Sequence, residues 1–248
     1  SELVLVVNSD NLIEGDGYKD SIIEAKEYAK EGYLAVLGIK PESQSSTYGY
    51  ILRDKENVKK FIARIDFDED ETEGLLGYDY DEGYLWNSGM FVWKVSTILD
   101  CFKKFMPDTY EGLLKIKAAV GTADENAVLE AEFPNLESQS VDYGIMEKAD
   151  SIYTLPGNFG WDDVGSWLAV GRIKKNDDNS NVINGNVVAV NTRGCVIEGG
   201  EKLIATVGLR DIVVVDTKDA TLITTKENAG EIKQVLAKLR EEGKNEYL

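Results

Sequence analysis

Four short stretches of this sequence place polar groups among residues that should otherwise be buried, and each could do chemistry. The first, Asn8-Ser9-Asp10-Asn11, follows an apolar run, so Asp10 stands where a strand of an α/β sheet opens towards a crevice. An Asx turn capping a loop would give the same pattern. The second, Tyr84-Leu85-Trp86-Asn87-Ser88-Gly89-Met90, puts an amide, a hydroxyl and a glycine inside an apolar strand. Those groups suit hydrogen bonding to sugar hydroxyls, or else a β-bulge without a ligand. The third, Val141-Asp142-Tyr143-Gly144-Ile145-Met146-Glu147-Lys148, reads as a short helix with charges among apolar residues. The fourth, Gly160-Trp161-Asp162-Asp163-Val164-Gly165-Ser166-Trp167, packs two tryptophans, two glycines and paired acids into eight residues. It is either a rigid turn presenting Asp163 or a tightly packed structural turn.

Composition narrows the chemistry. The chain has 248 residues, 45 acidic against 27 basic side chains, a net charge of −18 and no histidine. Ser-His-Asp and Cys-His nucleophiles, HExxH zinc sites and His-relayed proton transfer are therefore excluded. So acidic a chain is not expected to bind nucleic acid or an anionic membrane, because phosphate backbones need clustered Lys and Arg. An anionic partner would need a divalent cation between itself and the protein. No apolar run reaches membrane-spanning length, and no targeting segment opens the sequence. Cys101 and Cys195 are far apart without metal-spaced partners, which suits reduced thiols in the cytoplasm.

The elements that must position these stretches follow from periodicity. Leu3–Val7 is a continuous apolar run, expected to be a parallel strand covered on both faces. Tyr18, Ile22, Ala25 and Ala29 share one helical face, Gly32 stops that helix, and Tyr33–Leu37 is a second buried strand, completing a βαβ-like unit. Tyr48–Leu52 and Val58–Ile62 read as an antiparallel pair, and Met90–Val95 as a strand. The acidic run Asp66–Glu73 reads as a solvated loop and first helical turn. Ser96 is expected to cap a helix that runs to Phe105 and is closed by Pro107, with Asp108 capping the next. The polar stretch Asn176–Asn181 is the linker candidate, dividing an α/β domain (1–178) from a small all-β module (182–248). That module has short strands at Val187–Val190, Cys195–Glu198, Leu203–Val207, Ile212–Val215 and Thr221–Thr224. A capping box, Thr224 to Glu227, then opens a last helix with Ile232, Val235, Leu236 and Leu239 on one face.

Taken together, YLWNSGMF (84–91), DYGIMEK (142–148) and FGWDDVGSW (159–167) resemble the mannose-1-phosphate guanylyltransferase family of sugar nucleotidyltransferases. The resemblance continues through GNVVAVNTRGCVIEGGEKLIATVGLRDIVVVDT (185–217), which is similar to that family's C-terminal β-module. It extends back through Leu37-Gly38-Ile39-Lys40-Pro41, Glu31-Gly32-Tyr33 and Asn11-Leu12-Ile13, so nearly the whole chain is covered. It implies a partial Rossmann-like nucleotidyltransferase sheet with flanking helices plus a small β-helix-like module. It also implies the reaction of mannose 1-phosphate with GTP to give GDP-mannose and pyrophosphate. The attacking phosphate oxygen is already anionic, so this chemistry needs positioning and Mg²⁺ rather than a general base. Residue by residue, the resemblance assigns Asp10 and Asp163 to the Mg²⁺. It assigns Asn87, Ser88 and Gly89 to the sugar pocket and Gly49 to close backbone approach, with Asp142 and Lys148 as further pocket residues. Homodimerisation through the β-module, or association with another chain, is implied as well.

The sequence departs from the family in several places. The family's glycine-rich GGxGxRLWPLSRxxxPKQ signature lies about a hundred residues upstream of its Ser-Asp-His, outside this sequence. Without those first strands, the strand at Leu3–Val7 is expected to have an unpaired edge. Ser-Asp-His reads Ser9-Asp10-Asn11, the first glycine of Gly-Tyr-Gly-Tyr is Thr47, and Phe-x-Glu-Lys-Pro reads Phe61-Ile62-Ala63-Arg64-Ile65. Ala63 loses a carboxylate, and Arg64 replaces a phosphate-facing lysine with a non-equivalent cation. Besides the enzyme, a sugar-phosphate-binding regulator and a protein acting through assembly fit these residues.

Overall fold

The computed structural model describes residues 2–41, 48–54, 57–62 and 83–247. The acidic run Asp66–Glu73 lies outside them. The described chain falls into two compact units. One comprises Ser1–Ser9 with Ile13–Trp161, the other Asp10–Leu12 with Asp162–Leu248. The linker candidate Asn176–Asn181 therefore sits within the second unit.

The first unit is built on a six-stranded mixed sheet. Its strands are β1 (Leu3–Val6), β3 (Leu34–Ile39), β4 (Tyr50–Asp54), β5 (Asn57–Ile62), β6 (Tyr84–Lys94) and β7 (Ile152–Gly157), in the order β1-β6-β3-β7-β5-β4. β3 is buried at every position and runs parallel to β7 and antiparallel to β6. The long β6 pairs on one side with β4 through its first residues and with β1 through its last, and on the other with β3 from Trp86 to Val92.

β1 corrects one expectation. It is antiparallel to β6 and lies at the edge of the sheet, with Val4, Leu5 and Val7 exposed. An unbroken apolar run signals β-propensity, but it does not say which neighbours will cover the strand. The βαβ reading holds in a split form. Both β1 and β3 run antiparallel to β6, hence parallel to one another, and β6 lies between them.

Helix α1 (Gly17–Glu31) forms as its periodicity requires. Ala25 and Ala29 are fully buried against Ala35, Leu37, Met90, Val92 and Leu155, with Tyr18 and Ile22 beside them. On the opposite face, Leu34, Val36, Phe91 and Trp93 meet Ile98 of α2 (Val95–Phe105) and Met106. Two cap assignments are corrected. Lys94, not Ser96, is the N-cap residue of α2, and no side chain caps it. Pro107 is the first residue of α3 (Pro107–Ala119), with Met106 as N-cap and Asp108 in the first turn. Proline lacks the N–H that a helix start leaves unpaired, so the residue read as a stop is a start. Helix α4 (Glu125–Glu132) follows. A short two-stranded sheet joins β2 (Leu12–Glu14) and β8 (Gly160–Asp162).

The second unit carries α5 (Trp167–Ile173) and the β-module. In the module, β9 (Val182–Asn184), β11 (Val196–Glu198) and β13 (Ile212–Asp216) stack in parallel, with β14 (Thr221–Thr225) antiparallel on β13. β10 (Val187–Val190) and β12 (Ile204–Val207) form a second parallel pair. Parallel coils of this kind bury alternate residues on two sides, here Val182, Val196 and Val213 on one and Cys195, Ile197 and Val214 on the other. A buried amide fixes the first corner. Asn181 donates to Asp177 and to the Thr192 carbonyl and accepts from Cys195 N. The expected capping box does not form, because Thr224 belongs to β14 and α6 (Ile232–Glu241) starts later. Its neighbour Thr225 does accept the Asn228 N–H.

Candidate functional site

In the first unit the polar stretch of β6 is a bulge. Val36 faces Phe91 and Gly38 faces Asn87, so Ser88, Gly89 and Met90 together oppose Leu37 alone. Ser88 is buried, donates to the Leu37 carbonyl at 2.5 Å and accepts Met90 N at 3.1 Å. Its hydroxyl thus stands in for the ladder bonds that the bulge interrupts. Gly89 adopts φ +70°, where a side chain would be strained, and an added Cβ would lie 2.7 Å from Asn8 Nδ2. Asn8 occupies that space and donates to the Ser88 carbonyl at 3.1 Å.

Asn87 joins three segments. Its N–H donates to the Gly49 carbonyl at 2.8 Å, its Oδ1 accepts Gly89 N at 2.9 Å, and its Nδ2 donates to Asp142 Oδ1 at 2.9 Å. Asp142 opens a single π-helical turn, Asp142–Met146, whose Ile145 and Met146 are sunk in the core. A carboxylate at a turn anchored in this way is fixed relative to the sheet. The structure therefore brings together Gly49, Asn87, Ser88, Gly89 and Asp142, which the sequence pointed to. Asn8 joins them; only its proximity to Asp10 in the sequence hinted at it. Lys148 is exposed beyond the far end of the same turn and takes no part in this network. Arg64 lies outside the described residues.

An aromatic group backs the same segments. The Tyr48 ring lies 4.7 Å from Trp86 and 5.2 Å from Trp161, between centroids. Tyr48 precedes Gly49, Trp86 precedes Asn87, and Trp161 precedes the paired acids.

Asp10 and Asp163 both belong to the second unit. Asp10 is exposed and Asp163 half-buried. The turn bearing Asp163 is unusual. Val164 has φ +49°, a left-handed conformation that a β-branched side chain resists. Asp162 holds this turn. Its Oδ1 accepts Val164 N at 2.9 Å, and its two oxygens take the Arg172 guanidinium at 2.8 and 3.0 Å. Burial pushes the Asp162 carboxyl up, but Arg172, the Val164 N–H and Asp163 outweigh it and hold it below the usual carboxylate range. Gly165 leaves room for the Asp163 carboxylate, since a Cβ there would lie 2.8 Å from Oδ2. Arg172 stands apart in sequence from every stretch singled out above, and no spacing rule pointed to it.

As a donor set, Asp10 and Asp163 offer hard carboxylate oxygens of the kind Mg²⁺ takes, in the number it commonly uses when phosphates and water complete the shell. Among the described residues no three or more Asp, Glu or Cys side chains converge as a metal cage. Both cysteines are free, and burial pushes the Cys101 thiol up, away from nucleophilic use. No described helix is long and apolar enough to cross a membrane.

Comparison with known proteins is consistent across the chain. The Nucleotidyl transferase family model matches residues 1–180, and the MannoseP isomerase/GMP-like beta-helix domain model matches residues 185–239. Mannose-1-phosphate guanylyltransferase of Klebsiella pneumoniae is 32% identical over 255 residues, covering 99% of this chain and 53% of its own length. Alginate biosynthesis protein AlgA of Pseudomonas putida is 32% identical over 250 residues, covering 99% and 52%. The chain thus spans about half the length of the curated relatives it matches. A crystal structure described as mannose-1-phosphate geranyltransferase from Thermus thermophilus superposes with a TM-score of 0.81 at 31% identity. That match covers 97% of this chain and 70% of the other.

Proposed function

Since the chain belongs to the nucleotidyl transferase family, we propose that it serves the transfer of a guanylyl group from GTP to mannose 1-phosphate, giving GDP-mannose and pyrophosphate. The observation that carries this reading is the β6 bulge, which ties Gly49, Asn87, Gly89 and Asp142 into one rigid polar corner. Such a corner offers a carboxylate and backbone groups to sugar hydroxyls without further rearrangement. Ser88 and Asn8 hold the corner rather than line it. Arg64 is assigned to a phosphate oxygen, and Lys148 is kept as a further pocket residue.

In the reaction, a phosphate oxygen of the sugar phosphate attacks the α-phosphorus of GTP in line. The new P–O bond forms as the bond to the bridging oxygen breaks, and pyrophosphate leaves with that electron pair. The nucleophile arrives ionised, so the absence of histidine does not deprive the step of a base that it needs. Asp10 and Asp163 would hold a Mg²⁺, which supplies neutralisation of phosphate charge. The excess of acidic side chains is thereby reconciled with an anionic substrate. We assign the protein to the cytoplasm, in keeping with its two free thiols. We assign it a homodimer contact at the β-module, where Val188, Val190 and Val207 form an exposed apolar row on β10 and β12.

The test is calorimetric binding of mannose 1-phosphate, GTP and GDP-mannose with and without Mg²⁺, followed by a pyrophosphate-release assay. Mg²⁺-dependent release lost in Asp163→Ala is the expected result. Binding of the sugar phosphate with no release in any condition would make the chain a sugar-phosphate-binding protein. No binding of any of the three would overturn the reading.

A further inference from the structure

The turn that bears Asp163 is strained and yet tied down from one direction. Strain of this sort persists where surrounding contacts over-determine it, and it concentrates where a side chain must be aimed. Here the over-determining contacts are traceable. Trp167 and Val170 of α5 pack against Val182, Val196, Val213 and Val215 of the β-module, and Gly171 lies against Val196. The helix so seated projects Arg172, whose fork grips both oxygens of Asp162. A bidentate guanidinium–carboxylate pair fixes orientation as well as distance. With Asp162 oriented, its Oδ1 holds the Val164 N–H, the amide immediately beyond Asp163. The bare Gly165 then leaves the Asp163 carboxylate its place.

We propose that Arg172 and Asp162 form a positioning clamp through which the β-module, by way of α5, sets the direction of the Asp163 carboxylate towards its cation. Both are positioning residues, and neither touches substrate. The inference rests on reading Asp163 as a cation ligand. It adds that the β-module is part of the metal site's construction and not only a surface for assembly. Partners that orient metal ligands typically change metal affinity by 10–100-fold when removed.

The test uses Mn²⁺ as the probe, titrated into the 248-residue chain and followed by the electron paramagnetic resonance signal of the free ion. Hydrogen exchange at the Val164 and Gly165 amides is measured in parallel, without metal. Asp162→Ala is expected to weaken Mn²⁺ binding about tenfold and to speed exchange at both amides, with the circular dichroism spectrum unchanged. Arg172→Lys keeps a point charge but not the fork and is expected to fall between wild type and Arg172→Gln. Arg172→Gln made on the Asp162→Ala background is expected to add less than about twofold. Asp162→Ala that leaves Mn²⁺ affinity within about twofold, with Asp163→Ala abolishing binding, would overturn the clamp and leave the cation site standing. Saturable Mn²⁺ binding absent from wild type, or unchanged in Asp163→Ala, would instead overturn the cation site and the clamp with it. Should Asp162→Ala fold poorly, the graded Arg172 pair decides the question alone: equal affinities of the lysine and glutamine variants with wild type would overturn it.

Discussion

The bulge within β6 and the turn after β8 both present polar groups, but they are held by different forces. The bulge itself is fixed by neutral hydrogen bonds, the two of Ser88 buried: Ser88 to Leu37 and Met90, Asn87 to Gly49 and Gly89, Asn8 to the Ser88 carbonyl; only the tie to Asp142 involves a carboxylate. The turn is fixed by an ion pair whose arginine side chain is 50% exposed, although the Asp162 carboxylate is mostly covered. Buried neutral bonds are indifferent to salt and costly to remove, whereas a half-exposed ion pair is screened and contributes little to stability. The contrast points to a division of labour. The corner proposed for the sugar is rigid, and the turn proposed for the cation can be adjusted by what packs behind it.

The largest effect should come from Gly89→Val. A β-branched residue at φ +70° that also displaces Asn8 should cost about 2–4 kcal/mol in denaturant unfolding. Next is Ser88→Ala, which leaves the Leu37 carbonyl and Met90 N–H without their hydroxyl and should cost about 1–3 kcal/mol. This loss should be the same at low and high salt. Arg172→Gln should cost less than about 1 kcal/mol, and that loss should shrink as salt is added. A stability loss for Arg172→Gln as large as that for Ser88→Ala, and unaffected by salt, would erase the contrast between the two regions.

The smallest effect sharpens it. Asp177 accepts the Asn181 backbone N–H, the Asn181 side-chain amide and the Asn179 N–H, which hold its carboxyl below the usual range. A carboxyl lowered by folding adds stability above its unfolded value, near pH 4, and loses it as the pH falls through the folded value. Asp177→Asn should therefore leave wild type slightly the more stable near neutrality, with the difference closing in acid. A difference that grew on acidification would contradict the assignment.

Much of this was legible in the sequence, and particular residues show why. Tyr18, Ile22, Ala25 and Ala29 announced α1 because helical periodicity is a local signal. The module's strands were readable from their turn-spaced rhythm, although β9 was hidden beside the polar linker. The polar corner was visible as an anomaly, Asn-Ser-Gly in an apolar strand, but its partners Gly49 and Asp142 are fixed only by the tertiary fold. The edge expected at Leu3–Val7 is where β1 lies, but its antiparallel pairing with β6 and the reach of Arg172 to Asp162 are likewise non-local. A carboxylate's partner cannot be read from spacing when a turn and a helix intervene.

The central place of β3 has a consequence for how this chain acquires its structure. β3 is complete only when β6 and β7 lie on either side of it, and the Thr154–Val36 contact closes over 118 residues. The bulge opposite Leu37 inherits that delay, since the carbonyl it binds belongs to β3. The coils of the β-module pair with neighbours close in sequence, so their loops close at much smaller entropic cost. On refolding, the module and its seat for α5 should therefore form early and the polar corner of β6 late. Time-resolved hydrogen exchange would see Val196 and Val213 protected before Met90.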